Sequence, residues 1–396
     1  MAPGNAGTAA ERGCRNVDVA ADDLDGIVAL AGREQVSLVV VGPEGPLVGG
    51  LVDRLDAAGV RAFGPSAAAA RLEGSKSHCK EFLLRHGIPT AAATTFRDLE
   101  AALAHLDTLD AAPVVKASGL AAGKGVIVAD TMAEASAALH DILIERRFGA
   151  AGEEVLIEER LDGPELSILA FCDGVDFRVM PAAQDHKRLL VGDHGPNTGG
   201  MGAFHPSPVA DEALIEQIGK EVLAPTLQAM RDEHRPYRGV LYAGMMLTAA
   251  GPKVIEFNCR FGDPETQVVL PLLDGDLFDI LDACVDETLA EIDVRWARQA
   301  AVTVVMASAG YPGSAAAAVP ITGLDAVGDD RLVFHAGTAL VDGRVHTAGG
   351  RVLAVTAVRD TLAVAADAAH DGVAKISFAG AQHRPDIARA TAEVHR

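Results

Sequence analysis

The chain is poor in aromatics, in cysteine and in positive charge. With 12 Phe, 3 Tyr and 1 Trp in 396 residues, its cores must be built from Ala, Val, Leu and Ile. Five cysteines, Cys14, Cys79, Cys172, Cys259 and Cys284, are odd in number, scattered and without a C-x-x-C pair. That excludes a disulfide framework or a cysteine-rich zinc site and suits a reducing cytoplasm. Asp and Glu exceed Lys and Arg by 55 to 34, a formal charge of −21. No basic face is implied, which excludes a nucleic-acid or anionic-membrane partner but not a small anion in a locally positive pocket. No uninterrupted apolar run reaches about 18 residues and no signal-type leader opens the chain, so neither spanning nor secretion is expected. What is present is 49% hydrophobic residues and 41 glycines, in a length that suggests two to three domains.

Ser37-Leu38-Val39-Val40-Val41, ended by Gly42-Pro43-Glu44-Gly45, predicts a buried parallel strand and a loop. Leu47, Leu51 and Leu55 follow at helical spacing, then a short strand from Val60 to Phe63, so the first quarter reads as an open α/β sheet. The opening Ala2-Pro3-Gly4-Asn5-Ala6-Gly7 has the composition of a loop. A helix is expected from Ser75 to His86 and a connector from Ala91 to Thr95. Strands are expected at Val114–Lys116, Val126–Val128, Val155–Glu159 and Leu166–Cys172, with a second hairpin joining Val240–Leu247 to Lys253–Asn258. Thr131-Met132-Ala133-Glu134 has a capping-box pattern. After about residue 296 strands alternate with turns, and one long helix runs from Thr361 to Lys375.

Several stretches carry chemistry. From Lys116 through Ser118, Gly119, Gly123 and Lys124 to Gly125, a Gly-rich loop lies between two short strands. Its backbone N–H groups could turn towards phosphate, with lysine adding charge; an exposed hairpin is the plain alternative. It is not a P-loop, because a strand follows where a helix is required. Asn197-Thr198-Gly199-Gly200-Met201-Gly202, preceded by Asp185-His186-Lys187-Arg188, could hold a carboxylate or phosphate against backbone amides, with a surface loop as the alternative. His186 and His194 receive no role. In the stretch from Glu256 to Gln267, Glu256 and Asn258 share one face of a strand. A carboxylate and an amide oxygen so placed suit a hard cation alongside phosphate, and Arg260 on the same face could meet that phosphate. Glu158-Glu159-Arg160-Leu161-Asp162-Gly163-Pro164-Glu165 could be a nucleotide hinge, or merely a charged turn.

In this order the elements resemble the phosphoribosylamine–glycine ligase family of the ATP-grasp superfamily. The likeness rests on Phe63-Gly64-Pro65-Ser66, Glu73-Gly74-Ser75-Lys76, and the segments 115–126, 184–188, 195–203 and 255–267, and runs through nearly the whole chain. It implies an α/β and α+β multidomain protein with an ATP-grasp fold. The implied layout is a Rossmann-like α/β domain at 1–74, an ATP-grasp domain at 75–295 with a lid lobe near 93–165, and a β-rich domain at 296–396. It implies ligation of glycine to 5-phosphoribosylamine with ATP and Mg²⁺ or Mn²⁺, through glycyl phosphate, by a cytoplasmic monomer of purine biosynthesis.

By residue, the resemblance implies Glu256 and Asn258 as metal ligands and Arg260 and Lys124 as catalytic. Lys116, Gly119, Gly123, Lys124 and Gly125 would meet ATP phosphates, Glu158, Glu159 and Leu161 the adenine, and Glu165 the ribose. Asp185, Lys187, Arg188, the loop from Asn197 to Gly202, Asp263 and Glu265 would surround glycine and phosphoribosylamine.

Two departures from the family pattern stand out. Tyr242-Ala243-Gly244-Met245-Met246 offers no second acid beside the metal strand. Family members also begin with a strand, a Gly-rich loop and a helix before Ala-Pro-Gly-Asn, so the first α/β domain is expected to lack them and the native polypeptide to extend upstream. The alternatives are a related carboxylate–amine ligase with another acceptor, and a form that binds MgATP without turnover.

Overall fold

The computed structural model describes residues 1–121, 123–313 and 317–389. Ala122 of the Gly-rich loop and parts of the expected 296–396 domain lie outside them. Several helices start where the sequence supplies a capping oxygen: Ser75 accepts from the His78 amide ahead of Lys76–Arg85, and Thr131 from the Glu134 amide ahead of Met132–Leu143. The expected capping box is modified, since Glu134 reaches back to the Asp130 amide, 2.8 Å, rather than to that of Thr131. Asn5 likewise caps a short helix, Ala6–Ala10, so the opening is not all loop.

At the N-terminal end, Val39–Val40 pairs in parallel with Ala62–Phe63. The strand expected to be buried is half open, with Val40 47% exposed, because its ladder has only this one neighbour among the described residues. The single helix expected after it is two, Glu44–Val48 and Leu51–Ala57, separated at Gly49-Gly50.

Three antiparallel sheets follow. Ala93–Phe96, Val155–Glu158, Val114–Ala117 and Val126–Val128 form one, in that spatial order, under helices Leu99–Leu106 and Met132–Leu143. The expected connector at 91–95 is therefore partly an edge strand. Thr94, Thr95 and Phe96 suit a pleated surface, and the free side of Val155–Glu158 gives them a ladder. The second sheet runs Gly251–Asn258, Arg238–Thr248, Glu165–Asp173, Phe177–Val179. The third joins Leu332–His335, Arg351–Arg359 and Ala300–Ala307 to Gly202–His205 and Gln184–Asp185. Its last two strands come from the middle of the chain, so the C-terminal sheet is hydrogen-bonded directly to the segment carrying the predicted substrate loop. Leu362–Val373 packs on this sheet through Ala365, Ala366, Ala369 and Val373.

Candidate active site

Lys116 ends up almost wholly buried on strand Val114–Ala117, where an ammonium needs a partner. Glu158 provides it, 2.7 Å away, from the neighbouring strand. The other oxygen of the same carboxylate lies 3.4 Å from Lys80, which also donates to Thr90 Oγ1 at 2.7 Å. Burial lowers the Lys80 pKa against the pull of Glu158. The Glu158 side chain is thus the hub of a buried lysine–glutamate–lysine cluster, leaving only its main chain for a hinge. Beside it, Lys76 donates to the Gly119 carbonyl, 3.3 Å, and the Ser77 and Ser118 hydroxyls meet at 2.7 Å. The base of the Gly-rich loop is pinned to the start of helix Lys76–Arg85. At the tip, Lys124 is exposed and its amide bonds to the Ala121 carbonyl.

Lys116 also donates to the Ile255 carbonyl, 3.3 Å, which ties this lobe to strand Gly251–Asn258. Along that strand Glu256 and Asn258 face the opening and Phe257 between them is buried, as period-two alternation requires, while the ladder register shifts at Ile255 and Val254 beyond it is buried as well. Burial alone would raise the Glu256 pKa, but Lys187, Lys116, Lys76 and Arg260 together hold it below its ordinary value. It is an ionised carboxylate at neutral pH. Gly244 sits opposite it in the ladder, and a Cβ there would stand 3.3 Å from Glu256 Cγ. Arg260 is held by Glu44 at 3.2 Å and Glu73 at 3.4 Å, with Asn258 Oδ1 at 3.5 Å. Glu73 also accepts from the Cys259 amide, 2.7 Å; burial outweighs Arg260 and pushes its pKa up to about 7.

A donor set of one ionised carboxylate and one amide oxygen fits Mg²⁺ or Mn²⁺. No group of three or more His, Cys, Asp or Glu that could hold a metal occurs among the described residues. Glu256 and Asn258 would therefore need nucleotide oxygens to complete a coordination sphere.

Glu165 bonds to Lys187, whose ammonium is also 3.4 Å from Asp185. Burial would lower the Lys187 pKa, but Asp185 and Glu165 hold it well above its ordinary value. The predicted ribose ligand is thus engaged by a predicted substrate ligand. Glu265 is buried, accepts from Tyr242 Oη at 2.8 Å, and is pushed up to about 7 by burial and then by Asp185. Tyr242 in turn meets Ser167 at 2.9 Å.

Thr198 shapes the substrate loop: its hydroxyl donates to the Lys187 carbonyl at 2.8 Å and accepts from the Gly200 amide at 3.0 Å. Gly200 has φ +110° and packs on Pro264, where a Cβ would come within 2.4 Å. Asn197 and Arg188 face each other across a hairpin, and Arg188 donates to the Gly195 carbonyl. Two predicted ligands leave the site. Met201 is fully buried, its amide bonded to His186 and its carbonyl to Val305, and Gly202 is paired with Val304 inside a sheet. The Met201 amide and carbonyl are both taken up by main-chain bonds, and the Gly202 carbonyl accepts from the His186 amide. Glu159 is half exposed, 3.5 Å from Lys253, and Leu161, two residues on, is partly buried.

Sequence reasoning missed Lys76, Lys80, Glu73 and Tyr242. The lysines left a trace: Lys76 and Lys80 are four apart, hence on one helix face, beside the apolar Cys79, Phe82 and Leu83. Glu73 was visible only as part of a matching stretch.

Comparison with known proteins bears on the fold and the family. The fold is shared with biotin carboxylase from Campylobacter jejuni, TM-score 0.72 at 13% identity over 94% of this chain and 82% of that one. A Phosphoribosylglycinamide synthetase, ATP-grasp (A) domain signature matches residues 74–266, which places the chain among the ATP-grasp proteins. The N and C domain signatures of the same synthetase match residues 1–73 and 301–390. The chain is 52% identical to a phosphoribosylamine–glycine ligase of Xanthomonas campestris over 98% of its own length and 90% of that protein. It is 54% identical to the trifunctional purine biosynthetic protein adenosine-3 of Gallus gallus, again over 98% of this chain, but spans only 39% of that longer protein. The crystal structure of the Thermotoga maritima phosphoribosylamine–glycine ligase superposes with TM-score 0.83 at 33% identity, covering 97% and 92% of the two chains. The chain belongs to the phosphoribosylamine–glycine ligase family.

Proposed function

We propose that the chain ligates glycine to 5-phosphoribosylamine, converting ATP to ADP and phosphate through glycyl phosphate, in purine biosynthesis. The observation that carries this is the gathering of Lys76, Lys116, Lys187 and Arg260 around the ionised Glu256. Attack of one anion, the glycine carboxylate, on another, the γ-phosphate, needs charge neutralisation more than an acid or a base. In this reading Lys116 and Lys76 lie against ATP phosphates and Arg260, steadied by Glu44 and Glu73, faces the transferring group. Glu256 and Asn258 would hold Mg²⁺ or Mn²⁺, which when bound neutralises phosphate charge.

The Gly-rich loop, with Lys124 at its tip, would close over the phosphates and keep water from the acyl phosphate. The main chain at Glu158, Glu159 and Leu161 would meet adenine, and Glu165 the ribose once Lys187 turns away. Asp185, Lys187, Arg188, Asn197, Thr198, Gly199, Gly200, Asp263 and Glu265 would form the acceptor side. No helix among the described residues is long and apolar enough to cross a membrane. The five cysteines are free, and we place the protein in the cytoplasm as a monomer. The test is ADP production by the full chain. It should require glycine and phosphoribosylamine together; equal ADP release with either omitted would refute the reading.

A further inference from the structure

Arg351 opens strand Arg351–Arg359 of the C-terminal sheet, yet its guanidinium reaches the candidate acceptor side. Nη1 donates to the Gly199 carbonyl at 2.6 Å and the Asp263 carbonyl at 2.7 Å, and Nη2 stands 3.3 Å from Asp263 Oδ2. A Cβ on Gly199 would lie 3.0 Å from Arg351 Cζ, so the planar group rests against the loop backbone. The Gly199 amide donates to Tyr311 Oη at 2.9 Å. Both main-chain polar groups of Gly199 therefore end on side chains from beyond residue 300.

A second arginine grips the same segment further back. Arg384 is fully buried, holds Asp386 in a two-pronged pair, and donates to Asp193 Oδ1 at 2.6 Å and the Arg188 carbonyl at 3.0 Å. Asp386 in turn accepts from the Gly192 amide, 2.9 Å. The hairpin leading into the Asn197–Gly200 loop is thus anchored at its tip and the loop itself at its end, both by the C-terminal part of the chain. The nucleotide half centres on Lys76, Lys80, Lys116 and Glu158, whose side chains bond to one another and to Thr90, Gly119 and Ile255, and to neither arginine.

We propose that Arg351 is a positioning residue for the acceptor half: it fixes the Gly199–Gly200 loop against the Asp263 turn, so the C-terminal domain governs how glycine and phosphoribosylamine are held. The proposal rests on the function above. One rigid fork spans two carbonyls and a carboxylate; a lysine, as a single charged point, reproduces only part of that, and methionine none.

The experiment compares Arg351→Met, Arg351→Lys and Tyr311→Phe in the full chain. Arg351→Met should raise KM for glycine or phosphoribosylamine at least about fivefold while the MgATP Kd stays within about twofold. Arg351→Lys should recover part of the loss, and Tyr311→Phe, which keeps the ring, should shift the same KM in the same direction. Both KM values within about fivefold of wild type, or an equal weakening of MgATP, would overturn the proposal. If the unmutated chain makes no ADP dependent on both substrates, the function fails separately. Loop order is then read by hydrogen exchange at Thr198, Gly199 and Gly200. Faster exchange in Arg351→Met supports the positioning role, and unchanged exchange refutes it.

Discussion

Replacing Glu158 by glutamine preserves side-chain volume and removes one charge from between two buried lysines. Lys80 and Lys116 are 4% and 3% exposed, so neither can turn to water without opening the sheet. At an effective dielectric near 20, contacts of 2.7 and 3.4 Å correspond to about 6 and about 5 kcal/mol of gross attraction. Desolvation of the three groups offsets much of this, and removing one partner of a buried ion pair costs about 3–5 kcal/mol net. For a region of this size that is a fall in melting temperature of roughly 10 °C. The assay is thermal unfolding followed by circular dichroism at neutral pH, on Glu158→Gln, on Lys80→Met/Glu158→Gln, and on both with saturating MgATP. The double variant should melt above the single one, because it removes a charge left without a partner. MgATP should narrow the gap to wild type by bringing phosphate to Lys116. A single variant melting within about 2 °C of wild type, or a double variant melting below it, would refute the account of Glu158 as the neutralising hub.

Glu256→Gln should fold normally and lose at least about tenfold in turnover, about 1.4 kcal/mol of transition-state stabilisation; wild-type turnover at ordinary Mg²⁺ would remove Glu256 from the metal site. Amides of Gly119, Gly123, Lys124 and Gly125 should exchange more slowly with MgATP than without it, beyond the protection that Gly119 and Lys124 already gain from the Ala151 and Ala121 carbonyls, and equal protection in both states would identify a static hairpin. Glu265, pushed up to about 7 from 4.5, keeps its proton in the folded chain where the unfolded chain has lost it. Stability should therefore fall as pH rises from 4.5 to about 7, with up to about 3 kcal/mol lost above that window. Glu265→Gln keeps an acceptor for Tyr242 and should reduce this slope in melting curves taken across the same range, leaving the part that Glu73 contributes; an unchanged slope counts against it.

How much of this was legible in the sequence depends on whether a signal is local. Strand alternation placed Glu256 and Asn258 on one face, and a helix was expected from Ser75 to His86, because both signals act over a few residues. Lys80 was hidden because the partner that makes it meaningful, Glu158, lies on a strand far along the chain. The same holds for Arg351 and Tyr311, which sit in a region of strands and turns without a motif and acquire a role only through pairing with Gly199. Residues 93–96 misled for a different reason: four residues show too little of a period, and the open side of Val155–Glu158 decided their conformation. Met201 misled because its neighbours form a loop while it has already entered the core.

Gly244 has a consequence for the order in which ligands matter. It faces Glu256 where a side chain would crowd the carboxylate, so in the proposed site the sheet would offer one fixed negative charge and one neutral oxygen to a divalent ion. Two such donors, surrounded by lysines and arginine, give a cation little reason to stay on the bare protein. In the proposed site phosphate oxygens would supply the missing coordination, so metal and nucleotide affinities would be linked and each would raise the other. Free metal and free nucleotide would then each be half of a ligand, and the proposed site would discriminate by requiring both halves at once.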